Sequence, residues 1–209
     1  MKLLILTATT FEIQSTIDTT PAAAILVGGV GIPSTIYKLT QQLNKTQYDV
    51  VVQAGIAGAF TDIYALGEAV LVKQDTFGDL GVEEKGELST TFDMGLADKD
   101  EAPFRNGWLI NDNGILETSH LKTVSAVTVN KITESAAQNE LLYKKYNAAI
   151  ESMEGAALHY VCLQQQVPFI QLRSISNYIG ERDKTKWKMK DAIANLNTEL
   201  GKLINHFNK

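Results

Sequence analysis

The chain has 209 residues, 44% of them hydrophobic and 21% charged, an ordinary globular composition with enough apolar material for one large, well-buried domain. A net charge of -5 with no basic block gives a phosphate backbone or an anionic bilayer little to hold, so nucleic-acid and membrane binding are not expected. One cysteine, Cys162, excludes an intrachain disulfide framework. The apolar run at the N-terminus is too short for a signal peptide and no run reaches membrane-spanning length, so a soluble, cytoplasmic protein is expected.

Leu3 to Leu6 is a continuous apolar run, the pattern of a strand buried on both faces. Small polar residues follow, and Phe11-Glu12-Ile13 opens a short amphipathic helix. Ala22 to Val27 is a second strand, ending in Gly28-Gly29-Val30-Gly31-Ile32-Pro33. Pro33 suits a first helical turn, and Ile36, Leu39 and Leu43 continue at helical spacing. Asp49 to Gln53 is a third strand running into a small-residue turn, Ala54 to Ala59, and Glu68 to Val72 is a fourth. From Thr76 to Asn113 turn residues and scattered aromatics predict a long excursion with short strands. Strands at Thr123–Val129, Ala148–Ser152 and Phe169–Ile175 then alternate with helices at Thr133–Tyr146, Ala156–Gln165 and Lys186–Phe207.

No linker, repeat or low-complexity tract interrupts this order, so residues 1–209 read as one domain. Alternating strands and helices predict a three-layer α/β/α fold around a central mixed, mostly parallel twisted sheet. Ligands of such sheets sit beyond the carboxyl ends of the strands. The unusual residues fall there: Glu12, the Gly29–Gly31 and Gly55–Gly58 segments, Glu154 and Asn177.

Each has a plainer explanation. Gly29-Val30-Gly31 lacks the third glycine and the acidic partner of a dinucleotide fingerprint, so it is a turn needing positive φ or a backbone approach to a small ligand. Glu12 suits a helix N-terminus and Glu154 a helix cap. Met153 suits a core, and Asn177 suits a strand-ending turn. Cys162 has apolar neighbours and reads as inert packing. Arg173, inside an apolar strand, requires a carboxylate or carbonyl partner, because an unpaired buried charge is very costly.

Taken together and in this order, these segments resemble the nucleoside phosphorylase and nucleosidase superfamily over nearly the whole chain. Glu12 past the first strand, the Gly28–Gly31 and Gly55–Ala59 segments, the Met153-Glu154 pair and Arg173-Ser174-Ile175-Ser176 resemble methylthioadenosine/adenosylhomocysteine nucleosidase. The adenine-specific enzymes carry aspartate after the Arg-x-Ile-Ser segment, whereas this chain carries Asn177. Asn177 to Arg182 with Trp187, and Phe77-Gly78-Asp79-Leu80-Gly81, look like the futalosine hydrolase branch, which releases hypoxanthine in an alternative route to menaquinone.

The resemblance implies a catalytic set of Glu12, Arg173 and Asn177. It implies nucleoside binding by Met153, Glu154, Gly31, Ala57, Gly58 and Thr128, no metal or other cofactor, and a homo-oligomer with its contact in Thr76 to Asn113. An asparagine amide donates to O6 and N7 of a 6-oxopurine without a special protonation state, but supplies no proton to the leaving base. A phosphorylase would need cations beside the glycine segments, yet no Lys or Arg lies between Thr7 and Lys38 or between Lys45 and Lys73. The other readings are the adenine-specific nucleosidase and a non-catalytic nucleoside-binding module on the same fold.

Overall fold

A computed structural model describes residues 1–20 and 23–207; the first residue of the expected Ala22–Val27 strand lies outside them. Leu3–Thr7 forms β1, and the alternation of its side chains divides the first two cores between them. Leu3 and Ile5 pack toward one helical layer with Leu196, Leu200 and Ile204, while Leu4 and Leu6 pack toward the other with Leu39, Leu158 and Val161. β1 is therefore apolar throughout because both its faces are covered.

Thr10–Thr19 is α1, Ala24–Val27 is β2 and Ile32–Lys45 is α2. β1 pairs in parallel with β2 and with Val50–Ala59, which is β3. Here the structure departs from the expected pattern. Residues 54–59 are the second half of a ten-residue strand and form no turn. Its glycines serve close approach: a Cβ on Gly55 would meet Arg173 Nη1 and lie 3.0 Å from Glu12 Oε1, and one on Gly58 would lie 3.0 Å from Ile179. Glycine in a strand has this second meaning, which composition cannot separate from a turn.

Ala69–Asp75 is β4, Gly81–Glu84 and Glu87–Thr90 are the hairpin β5–β6, and Leu109–Ile110 is β7. The expected excursion is thus present, with turns and an aromatic cluster of Phe77, Phe92, Phe104 and Tyr160. Ile115–Thr118 is α3, Lys122–Thr128 is β8, Ala136–Tyr146 is α4 and Ile150–Ser152 is β9. Gly155–Gln164 is α5, Phe169–Tyr178 is β10 and Met189–Phe207 is α6, preceded by a single 3-10 turn at Lys184–Lys186.

The sheet is mixed, and parallel pairings predominate among its named strands. It is not an open central layer. β3 pairs with β1 up to Gln53 and, on the same edge, with β9 from Gly58; β10 runs along its other edge. β10, β4, β8 and β9 then return to β3, so five strands close on themselves. Ala57, Ala59, Val70, Val72, Val124, Ala126, Ile150 and Ile175 come from those five strands and fill the ring. Small and β-branched side chains suit so narrow an interior. Cys162 is fully buried against α2 and β1, and burial pushes its thiol pKa up.

Candidate active site

A cavity of about 270 Å3 opens where β3 and β10 end beside β9 and α1 begins. Thr9 caps α1, and its backbone N–H donates to Glu12 Oε2 at 3.2 Å, the reach-back of a capping box. The Thr9 and Thr7 hydroxyls donate to the same oxygen at 3.2 and 3.4 Å, and the Ile56 N–H donates to Oε1 at 3.0 Å. Glu12 does cap its helix, but it is also buried, lines the cavity and is held by a second element, β3. Immediately after it, Ile13 leaves helical geometry at φ -124°, ψ 20°.

Glu154 precedes α5 and is buried at the opposite side of the same backbone frame. Its Oε1 accepts the Gly31 N–H at 3.1 Å and its Oε2 lies 3.8 Å from Arg173 Nη1. Burial raises its pKa, while Arg173 and the Gly31 amide act in the opposite sense. The Gly31 amide is itself fixed at a distance. Asp79 accepts from the Asn130 N–H at 2.7 Å, and Asn130 Oδ1 accepts from the Ile32 N–H at 3.1 Å. The Phe77-Gly78-Asp79 segment therefore supports the start of α2, and through it Glu154.

Arg173 is 1% exposed. Its Nη2 donates to Gln53 Oε1 at 2.9 Å, and Glu154 balances its charge, which meets the requirement read from the sequence. Asn177 sits at a register irregularity between β10 and β3. Ser176 Oγ donates to its Oδ1 at 2.8 Å and its Nδ2 donates to the Tyr178 carbonyl at 3.0 Å. One Nδ2 hydrogen and one Oδ1 lone pair remain for a ligand.

Of the residues expected to form the site, Glu12, Ala57, Gly58, Met153, Glu154 and Asn177 line the cavity. Arg173, Gly31 and Thr128 do not. Arg173 is buried beside Gly55 and paired with Glu154, and Gly31 holds Glu154. Thr128 is fully buried below α5, where its hydroxyl accepts the Ala156 N–H at 2.7 Å and donates to Asp75 Oδ1 at 3.0 Å. A strand-end threonine pointing to a helix start has the same sequence signature as one pointing to a ligand.

Sequence reasoning passed over two carboxyls. Asp75 is completely buried and accepts from Thr128, Gln171 and the Thr76 N–H; burial pushes its pKa up to about 7. It packs with Gln171 under Gly155, where a side chain would overlap both. Glu151 lines the cavity itself. Its only sequence signal was a charged residue inside a short apolar strand. Phe11, Val30, Ile179, Trp187 and Met189 add apolar wall, and Trp187 is anchored by its Nε1–H to the Glu181 carbonyl at 3.0 Å. Among the described residues, no group of three or more His, Cys, Asp or Glu side chains is placed to hold a metal ion.

Two buried carboxylates, one of them paired with a buried arginine, meet an apolar wall and a neutral amide at this cavity. Residues 8–208 match the phosphorylase superfamily model, and the chain belongs to that superfamily. Futalosine hydrolase from Streptomyces coelicolor is 30% identical over 162 residues, covering 77% of this chain and 67% of that protein. Futalosine hydrolase from Thermus thermophilus is 29% identical over 84% and 78% of the two chains. Within the superfamily, the chain belongs to the futalosine hydrolase family.

Methylthioadenosine/adenosylhomocysteine nucleosidase from Shewanella sp. is more distant, at 26% identity over 71% of this chain and 65% of that protein. The native structure of Helicobacter pylori futalosine hydrolase superposes with a TM-score of 0.78 at 16% identity, covering 98% and 97% of the chains. A Francisella philomiragia structure described as a putative methylthioadenosine/adenosylhomocysteine nucleosidase gives 0.80 at 18% identity over all of both chains. At these identities the superpositions establish the fold, which the two activities share.

Proposed function

We propose that this protein is an N-ribosyl hydrolase that cleaves futalosine to hypoxanthine and dehypoxanthine futalosine, serving the alternative menaquinone route. The observation that carries the substrate choice is the Asn177 amide on the cavity wall, oriented by Ser176 and Tyr178. Hypoxanthine presents two acceptors, O6 and N7, to a side chain approaching that edge. The one free Nδ2–H of Asn177 donates to O6, which an ionised carboxylate in its place could not do.

In this reading Glu12 accepts a proton from the water that attacks C1′. Glu154 holds the ribose hydroxyls and stabilises the oxocarbenium-like sugar, as carboxylates do in glycoside hydrolysis. Met153 lies against the sugar, and Arg173 fixes the spacing of the two carboxylates from behind. Water is favoured over phosphate as nucleophile. Lys38, beside the Gly28–Gly31 segment, has Nζ on the Val27 carbonyl at 3.2 Å and does not line the cavity, and among the described Lys and Arg residues only Arg182 does.

The chain works as a homo-oligomer in this reading, and Leu80, Val82 and Leu96 of the Thr76–Asn113 excursion supply exposed apolar surface for the contact. No helix among the described residues is long and apolar enough to cross a membrane.

The deciding experiment incubates the protein with futalosine, inosine and methylthioadenosine, with and without phosphate, and measures free base. Hypoxanthine from futalosine, independent of phosphate and abolished in Glu12→Gln, is the expected result. Adenine release alone would replace the substrate, phosphate-dependent sugar phosphate would replace the reaction class, and binding without cleavage would make the protein a nucleoside-binding module.

A further inference from the structure

The futalosine reading leaves the leaving base without a proton donor, because Asn177 is an amide. We propose that Glu151 is the leaving-group acid of this site; the inference rests on the futalosine reading and completes it. Glu151 lies in β9 directly opposite Gly58 of β3, and Asn177 lies opposite the same Gly58 on the other side, in β10. The β10–β3 register shifts just before Asn177, but Glu151 and Asn177 both line the cavity. Glu151 and Asn177 therefore flank Gly58 on the cavity side of the sheet, two strand spacings or ~10 Å apart at the backbone. The missing side chain of Gly58 admits Ile179, which also lines the cavity, and lets Asn177 Nδ2 approach within 3.4 Å of where a Cβ would stand.

The carboxyl has no other occupation. Glu151 is 6% exposed, and its Oε2 is sealed from solvent with no hydrogen-bond partner among the described residues. A buried carboxyl without partners is costly as an anion and is retained where a ligand or a reaction uses it. Its surroundings favour the protonated form. Desolvation, followed by the charge of Asp79, pushes its pKa up to about 7. β3 and β8 place only Gly58 and Val127 beside it in register. The other ionisable groups of the cavity are Glu12, Glu154, Glu181 and Arg182.

The chemistry balances with this one group added. The C1′–N9 bond breaks and its electron pair passes to the purine, whose N7 takes the Glu151 proton. The oxygen of water bonds to C1′ and its proton passes to Glu12. Hypoxanthine departs neutral, Glu151 recovers a proton from solvent, and Glu12 returns one. The net reaction consumes only water.

The test compares wild type with Glu151→Gln on futalosine and on 4-nitrophenyl β-ribofuranoside, whose leaving group departs without protonation. Futalosine turnover should fall about 10²- to 10⁴-fold, the usual contribution of a positioned acid, while nitrophenol release changes less than about threefold. Wild-type kcat/KM on futalosine should fall as pH rises through about 7, a limb absent for the nitrophenyl substrate. Unchanged futalosine turnover in the variant, or equal loss on both substrates, overturns the assignment. If the variant does not fold, the wild-type profiles decide: the same pH limb on both substrates, or none, rejects it. If wild type instead releases adenine from methylthioadenosine and no hypoxanthine from futalosine, the substrate reading has failed. Running the same comparison with methylthioadenosine then judges Glu151 separately.

Discussion

Replacing Gly55 with alanine adds one methyl group at the point where the two halves of the site meet. The new Cβ would overlap Arg173 Nη1 and lie 3.0 Å from Glu12 Oε1, tighter than ordinary carbon–oxygen contact. The strand conformation at this position places no special demand on φ, so alanine is acceptable to the backbone and the whole effect comes from crowding. Arg173 has no free direction in which to retreat, since it is 1% exposed and tied to Gln53 and Glu154. Overpacking of this kind costs about 1–3 kcal/mol, and at ~2–4 °C per kcal/mol for a domain of this size the melting temperature should drop by roughly 2–12 °C. Activity should suffer more than stability. A shift on the order of 1 Å in a positioned catalytic group costs about 10²-fold, and here both the arginine and the carboxylate it spaces are displaced. Calorimetry and a base-release assay on the same preparation measure the two effects. A variant that is folded and within about threefold of wild-type kcat/KM would refute the claim that Gly55 exists for this close approach.

The other predictions concern the base end and the buried scaffold. Asn177→Asp should lower hypoxanthine release by at least ~10-fold and raise adenine release from methylthioadenosine, read as the ratio of kcat/KM values; an unchanged ratio would separate residue 177 from base choice. Thr128→Val leaves the Ala156 N–H without its acceptor, so it should cost about 1–3 kcal/mol in denaturant unfolding with KM nearly unchanged; a large rise in KM with intact stability would instead place Thr128 at the substrate. Burial lifts the pKa of Asp75 to about 7 from its ordinary 3.8, so the folded state binds its proton more tightly. Its ionisation penalty is absent below pH ~4, accumulates as pH rises from there to about 7, and is constant above. Wild-type melting temperature should carry that decline, and Asp75→Asn, whose amide can pair with a turned Gln171, should remove it. An identical pH dependence in the two proteins would show that Asp75 carries no such penalty.

Much of this molecule is written in local pattern. The apolar runs at Leu3–Leu6 and Phe169–Ile175, the helical spacing of Ile36, Leu39 and Leu43, and the glycine-punctuated strand exits announce strands and helices that bury both sheet faces. The Met153-Glu154 and Arg173–Asn177 segments point to a nucleosidase through their resemblance to that superfamily, and Arg173 in an apolar strand announces its need of a partner. These features depend on residue type and spacing, which a sequence contains in full.

Pairing across long separations is where the sequence falls silent. Whether Gly55 and Gly58 make a turn or a strand depends on β10, more than a hundred positions later, pairing alongside them. That five strands close into a ring follows from β3 exchanging β1 for β9 along one edge, a register relation with no local signature. The same distance separates Thr128 at the wall of the pocket from Thr128 beneath α5, and Glu151 as one charge in a short apolar strand from Glu151 lining the cavity. Direction and depth of a side chain are properties of the packed structure, because they are set by neighbours that only folding brings together.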